Sequence, residues 1–409
     1  MIRIKSNKKS IEGEVDLPLS KSETNRALIL KALSEGKCFP NAISEANDSV
    51  LLNQLLTERP SHMDCQDAGT VMRFMTAFCS IQEGEWILTG HPRMLERPIG
   101  PLVAALIQLG ADIQYLDKIG YPPIKIQGKR LQGGSLTMKA NVSSQFLTAL
   151  FMIAPYLKVG LNLEIQGPMV SKDYTTLTLQ MMEQAGIQIE KKDRTVRIFP
   201  GQYSGCIQIG GDYSAASYWF ECVALSKGSS RLLLKGLLEN SFQPDRAVIN
   251  LFKSLGVESK FVENGLLISS DGVNLQIPES SHFNLIGQPD LAQTLVCTCA
   301  GLEIKSSFEG LETLKIKETD RIKALELELN KLGANLSFKD DQIHLSGQKI
   351  NWNGITLDTH QDHRMAMALA PLVAVTGELW IEDHQVVKKS YPQFWSEFGR
   401  FFEIEYLHE

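Results

Sequence analysis

Leu102-Val103-Ala104-Ala105-Leu106-Ile107-Gln108-Leu109-Gly110-Ala111-Asp112-Ile113-Gln114-Tyr115 is the stretch that decides the fold. Apolar residues at helical spacing run into a glycine, and apolar–polar alternation follows at once. A glycine there suits the position just past a helix end, where the backbone turns left-handed at little cost. The same event returns at Gly186, before Ile187-Gln188-Ile189-Glu190, and at Gly256, before Val257–Phe261. Gly333 precedes Ala334–Phe338 and Gly399 precedes Phe401-Phe402-Glu403-Ile404 in the same way. The intervals are 76, 70, 77 and 66 residues. One such junction occurs by chance in any mixed protein, but five at near-constant spacing predict a repeated α/β unit. A weaker copy without the glycine falls at Leu51–Leu56, giving six units, and Gly210-Gly211-Asp212 divides them three and three. No G-x-G-x-x-G follows a strand, so a dinucleotide fold is not supported.

A chain of 409 residues should form at least two domains, each with its own core. Cys38, Cys65, Cys79, Cys206, Cys222, Cys297 and Cys299 form no C-x-x-C pair and sit mostly in apolar stretches. That usage fits reduced thiols and a cytoplasmic protein better than a disulfide framework or a zinc site. The start, Met1-Ile2-Arg3-Ile4-Lys5, has no apolar signal core, and no apolar run approaches the length of a membrane helix. A net charge of −6 argues against general nucleic-acid binding, so an anionic ligand needs a local cluster of cations. His360-Gln361-Asp362-His363 lacks a third ligand at sensible spacing, and no metal or cofactor is expected.

Several helix starts carry chemistry. Ser20-Lys21-Ser22-Glu23-Thr24-Asn25-Arg26 has capping-box spacing between Ser20 and Glu23, and sets Ser22 one turn from Arg26. Unpaired backbone N–H groups, a positive dipole end and a guanidinium suit a phosphate; a capped surface helix uses the same residues. Asp67-Ala68-Gly69-Thr70 reads as another start with Asp67 as cap and Gly69 open to close approach. Arg93 and Arg97 flank Glu96, and an exposed Glu96–Arg97 pair is the plain alternative to anion binding. Ser143, Ser144 and Gln145 open the helix Phe146–Tyr156 and suit either hydroxyl-bearing ligands or simple capping; Ser171-Lys172-Asp173-Tyr174 is similar. Asp290 reads as a helix cap or a general base. Lys317, Glu318 and Arg321 share a face if the helix begins at Lys317. Asp362-His363-Arg364 puts three polar groups at the entry of an apolar helix, and Lys388-Lys389 forms a basic turn.

Taken in order, these segments resemble the enolpyruvyl transferase family. The resemblance rests on Ser20-Lys21-Ser22…Asn25-Arg26, Ala68-Gly69-Thr70…Arg73, Glu96-Arg97-Pro98-Ile99-Gly100, Ser143–Thr148, Lys317-Glu318-Thr319-Asp320-Arg321 and Asp362-His363-Arg364-Met365-Ala366-Met367. It implies two similar domains, each of three inverted α/β units, with the active site in the cleft between them. One domain would be residues 20–212; the other would join residues 1–19 to residues 213–409. The implied reaction moves the enolpyruvyl group of phosphoenolpyruvate to the 5-hydroxyl of shikimate 3-phosphate by addition and elimination, in a cytoplasmic monomer. Shikimate 3-phosphate would be held by Lys21, Ser22, Arg26, Ser143, Ser144, Gln145, Ser171, Asp290, Thr313 and Lys317. Phosphoenolpyruvate would be held by Lys21, Gly69, Arg97, Gln145, Arg321, Arg364 and Lys389. Asp290 would take the hydroxyl proton and Glu318 would serve the methylene carbon, with Lys21 and His363 assisting. Each close charge pair on these polyanions is worth roughly 4 kcal/mol at an effective dielectric near 20, before desolvation.

Some positions depart from the family pattern. Asp67 stands where asparagine is usual, and its carboxylate is expected to cap the helix. Phe74 replaces a proline, Thr313 replaces an asparagine, and the short Thr57–Gln66 stretch implies a first repeat without a hairpin. The rivals are a transferase acting on UDP-N-acetylglucosamine, whose loop cysteine is missing before Arg97, and an anion-binding relative without turnover.

Overall fold

The computed structural model describes residues 1–139, 143–167, 172–271, 278–351 and 354–407. The chain divides into two compact units, Lys21–Ile209 and Met1–Ser20 with Gly210–Glu409. In the second of these, the two chain passages run side by side: Leu19 bridges Gly211, and Asp212 N donates to Pro18 O at 2.9 Å.

One building plan recurs. Strands His62–Asp64 and Gly84–Thr89 run parallel, Met63 opposite Leu88, with the helix Gly69–Ile81 between them. The helix Gly100–Gln108 follows, then the hairpin Asp112–Tyr115 and Ile124–Gly128, which adds antiparallel with Trp86 opposite Ile126. The crossover helices Ser144–Ile153, Tyr213–Leu225, Ala292–Gly301 and His363–Leu369 serve four further four-stranded sheets built alike. In the last of these, Ile2–Lys5 from the chain start takes a place in the hairpin, between Glu378–Ile381 and Glu403–Tyr406. The remaining sheet has only Cys38–Pro40 parallel to Gly205–Ile207. Its hairpin is missing because the helix Asn47–Glu58 is followed almost directly by His62–Asp64.

The glycine punctuation has a hydrogen-bond basis. At Gly110 (φ 102°), Ala111 N donates to Leu106 O and Gly110 N to Ile107 O, a paired closure that satisfies the last carbonyls of the helix. Gly399 differs from the expectation: its φ is −64°, still helical, and no left-handed turn ends that segment. In the first unit Arg59 (φ 47°) takes the left-handed position, a strained choice that a β-carbon normally disfavours.

The crossover helices are mostly apolar and almost entirely buried, as their sequences require. Every residue from Ala292 to Ala300 is buried, and Trp219 packs against Phe394, Phe398 and Phe401. Buried polar groups interrupt this pattern, a carboxylate among them. Glu221 is 0% exposed, and neither carboxylate oxygen has a hydrogen-bond partner among the described residues. Burial pushes its pKa well above the usual carboxylate range, so the folded state holds it neutral. A raised folded-state pKa gives stability that is complete below the unfolded value and is lost as pH rises toward the folded one. Glu221→Gln should therefore match the wild type near pH 4 and exceed it increasingly toward pH 8, by more than about 1 kcal/mol. Denaturant midpoints at both pH values check this; equal pH dependence in both proteins would refute it.

Candidate active site

Each unit gathers charged side chains at the N-terminal ends of its helices, where free N–H groups and the helix dipole favour anions. In the unit Lys21–Ile209, four helices contribute. Arg26, on the helix Lys21–Leu33, is buried and bonded only to neutral partners among the described residues. Its Nε donates to Thr178 Oγ1 (2.8 Å), Nη1 to Ser22 O (2.7 Å), and Nη2 to Tyr174 O (3.2 Å) and Thr148 Oγ1 (3.5 Å). Phe74 packs its ring 5.9 Å from the same guanidinium. Burial without a bonded carboxylate lowers the pKa of Arg26 to about 10, so an arriving anion would relieve it. Lys21 pairs with Asp48 at 3.0 Å. Ser143 caps its helix by accepting from Gln145 N, and Gln145 Nε2 donates to Thr70 Oγ1 at 3.1 Å. Ser144 is the first residue of that helix, which ends at Ile153. Ser171 lies outside the described residues.

Gly69 opens the helix Gly69–Ile81, and its neighbours are guanidinium groups. A β-carbon there would stand 2.6 Å from Arg97 Nη2 and 2.8 Å from Arg73 Nη1. Two expectations fail here. Asp67 does not cap: the cap position is Ala68, and the Asp67 carboxylate turns to His91 Nδ1 at 2.8 Å. Glu96 pairs with Arg93 at 3.0 Å, not with Arg97; Arg97 is buried, 6% exposed, and donates to Asp67 O.

In the other unit, Asp290 is the hub. Its Oδ1 meets Arg321 Nη1 (3.0 Å) and Lys317 Nζ (3.4 Å), and its Oδ2 meets Arg364 Nη2 (3.0 Å). The helical cap expected of Asp290 is not formed; Gln288 and Leu291 hold the cap positions around it. Burial alone would raise its pKa, but Arg364, Lys317 and Arg321 outweigh burial and hold it well below the carboxylate range. Arg321 also binds Asp362 twice, Nε–Oδ2 at 2.7 Å and Nη2–Oδ1 at 3.3 Å, and Glu318 Oε2 at 3.0 Å. Glu318 Oε1 reaches Lys389 at 3.3 Å. His363, 2% exposed, lies with Nδ1 3.5 Å from Asp362 Oδ1.

The shared helical face expected of Lys317, Glu318 and Arg321 is not how they meet. The helix begins at Arg321 behind an Asp320 cap, and the preceding loop folds Lys317 and Glu318 onto the hub. Thr313 lies just ahead, in the short helix Glu312–Ile316, with its hydroxyl buried and without a partner among the described residues.

The sequence reading missed the partners that hold these groups. Asp48, Thr148 and Thr178 carry no local signal, because each meets its cation across 27, 122 or 152 positions. Ser214 and Asp245 were missed too: Ser214 donates to the Asp245 carboxylate and lies 3.4 Å from Arg364 Nη2. Burial raises the pKa of Asp245, with Arg364 opposing and Asp290 adding to the rise.

What the two clusters can do follows from charge. Arg26, Arg73, Arg97 and Lys21 in one, and Lys317, Arg321, Arg364 and Lys389 in the other, suit ligands with several negative oxygens. Asp290 and Glu318, 16% and 14% exposed in their side chains, supply proton-transfer groups beside the cations.

Residues 40–398 match the family model described as EPSP synthase (3-phosphoshikimate 1-carboxyvinyltransferase). A 3-phosphoshikimate 1-carboxyvinyltransferase of Bacteroides fragilis is 41% identical over 398 residues, covering 95% of this chain and 94% of that one. The enzyme of the same name from Vibrio cholerae is 32% identical over 420 residues, covering 95% and 97%. Among solved structures, an EPSP synthase from Acinetobacter baumannii aligns over 99% of both chains with a TM-score of 0.77 at 21% identity. The enolpyruvyl transferase NikO of Streptomyces tendae aligns over 99% of this chain and 98% of its own, with a TM-score of 0.73 at 13% identity. These last two likenesses establish the α/β enolpyruvyl transferase fold.

Proposed function

The chain belongs to the EPSP synthase family, and from that premise we propose how its residues divide the work. The activity is that of the family: the enolpyruvyl group of phosphoenolpyruvate passes to shikimate 3-phosphate, in the shikimate pathway to aromatic amino acids. The single observation that carries the assignment of roles is Asp290, a carboxylate held ionised by Arg321 and Arg364, which are suited to phosphoenolpyruvate, and by Lys317, which is suited to shikimate 3-phosphate.

Ser22, Arg26, Ser143, Ser144, Gln145 and Ser171 hold shikimate 3-phosphate, with Thr313 and Lys317. Arg26 supports this reading through its neutral surroundings, which favour a bound anion. Lys21, Gly69, Arg97, Gln145, Arg321, Arg364 and Lys389 hold phosphoenolpyruvate. The incoming phosphate and carboxylate compete with Asp290 for Arg364 and with Glu318 for Lys389. As Arg364 turns to the substrate, Asp290 regains basicity. Asp290 then accepts the proton of the 5-hydroxyl as its oxygen attacks C2 of phosphoenolpyruvate. Glu318 delivers a proton to the methylene carbon and later removes one as phosphate leaves, with Lys21 and His363 assisting. The cations stabilise charge on the tetrahedral adduct and on the departing phosphate. The same reading makes the protein a cytoplasmic monomer, the first part supported by seven free cysteines, six of them buried. No helix of the described residues is long and apolar enough to cross a membrane.

Phosphate release from phosphoenolpyruvate, measured with shikimate 3-phosphate and separately with UDP-N-acetylglucosamine, tests the reading. Release with the first alone is expected; release with the second alone, or with neither in folded protein, would overturn it. Arg97→Ala and Lys21→Ala should each lower kcat/KM by about 10²–10³-fold, the loss typical of one preorganised electrostatic contact. A loss below threefold for both in the same assay would remove these residues from the site.

A further inference from the structure

We propose that Glu328 is a positioning residue for the phosphoenolpyruvate-binding cations, acting through a turn that it pins to the helix bearing Arg321. This rests on the assignment of Arg321 and Arg364 given above. Glu328 lies two helical turns from Arg321 on the helix Arg321–Lys331, so both side chains address the same side. It is a buried carboxylate, 1% exposed, far too costly to bury without partners. Oε1 accepts from His360 Nε2 at 2.8 Å, and Oε2 accepts from Asp358 N at 2.9 Å and Lys331 Nζ at 2.7 Å. Since a carboxylate only accepts, the His360 ring must present its N–H at Nε2.

The segment so held is strained. His360 (φ 50°) and Gln361 (φ 56°) are consecutive left-handed residues, neither of them glycine, and such a pair persists only where its surroundings enforce it. Asp358 Oδ1 accepts from His360 N at 2.6 Å, and Thr359 O accepts from Asp362 N at 2.9 Å, closing the turn. Directly after it come Asp362, which binds Arg321 through both oxygens and caps the next helix, and then Arg364. The turn is therefore stapled to one helix at two levels, by Asp362 at its first residue and by Glu328 two turns on. Glu328 touches no proposed substrate group; it fixes where Arg321 and Arg364 stand.

Glu328→Leu should raise KM for phosphoenolpyruvate about tenfold and leave KM for shikimate 3-phosphate within threefold. Glu328→Gln, which can still bond both Asp358 N and the His360 ring, should remain within threefold on both. Adding Gln361→Gly to Glu328→Leu lowers the cost of the left-handed turn and should restore much of the loss. His360→Ala removes one bond only, and should show the same split on a smaller scale if Glu328→Leu fails to fold. Parallel rises in both KM values, no rise in Glu328→Leu, or no recovery with Gln361→Gly would overturn the proposal. Arg364→Lys is the control: an unchanged KM for phosphoenolpyruvate there would overturn the assignment of Arg364 and this inference with it.

Discussion

Asp290→Asn should lower kcat by about 10²–10⁴-fold, the usual worth of a positioned general base, without raising KM for phosphoenolpyruvate. Both halves follow from the hub. Asparagine keeps the size, its one carbonyl oxygen can still accept from Arg321, and Arg364 keeps its contacts with the Asp290 main-chain oxygen (3.3 Å) and Ser214 Oγ (3.4 Å), so the cations keep their places. It cannot take the hydroxyl proton, which removes the step assigned to Asp290. It also no longer competes as an anion for Arg364, now 3.0 Å from Asp290 Oδ2, so phosphoenolpyruvate binds as well or better. A residue that merely braced the cations would give the reverse, a raised KM with kcat retained. Steady-state kinetics with each substrate varied separates the two, and a loss in kcat below tenfold would refute the role.

Arg321 shows why the arrangement tolerates that exchange. Asp362, Glu318 and Asp290 more than offset the burial of its guanidinium and raise its pKa further. Removing one of three carboxylates leaves it paired. Removing Arg321 itself would take the guanidinium from the fully buried Asp362 and one cation each from Asp290 and Glu318, and breaking a buried pair in that way is strongly destabilising.

The repeat was legible in the sequence because its signal is local. A helix ending at a left-handed glycine is closed by bonds within six residues, as Ala111 N to Leu106 O shows, and such a motif leaves a mark at fixed spacing. Where another residue does the same work the mark vanishes: Arg59 closes the first unit's helix with no glycine to announce it. Gly399 misled in the opposite sense, since a glycine also fits an ordinary helical turn. In the site, residue types were legible and partnerships were not. Lys317, Glu318 and Arg321 were grouped by helical pitch, and they do converge, but a loop brings them together. Asp67 had the chemistry of a cap and lost that place because His91, 24 residues on, offers its carboxylate a closer partner. Arg26 was read as a phosphate ligand from its spacing to Ser22, while the hydroxyls that hold it come from helices far along the chain.

Gly69→Ala should raise KM for phosphoenolpyruvate by about 10–100-fold, the cost of weakening one or two charge-assisted contacts, while the protein stays folded and kcat falls less than tenfold. The added methyl would sit 2.6 Å from Arg97 Nη2, 2.7 Å from Arg97 Nη1 and 2.8 Å from Arg73 Nη1, closer than any of them tolerates. All three are the far ends of long side chains, not backbone, so relief comes from moving the guanidinium groups and not the helix. Alanine is otherwise favourable in a helix, and Gly69 has an ordinary negative φ, so no backbone strain arises. The damage is confined to the position of Arg97, with Arg73 next to it. Any anion that uses Arg97 in the same way should lose affinity in step with phosphoenolpyruvate, and KM for shikimate 3-phosphate should stay within threefold. A melting temperature within a few degrees of wild type alongside the raised KM would locate the effect in the arginines. An unchanged KM would mean that Arg97 does not contact phosphoenolpyruvate, and a collapse in stability would mean that the helix, not the guanidinium, had to move.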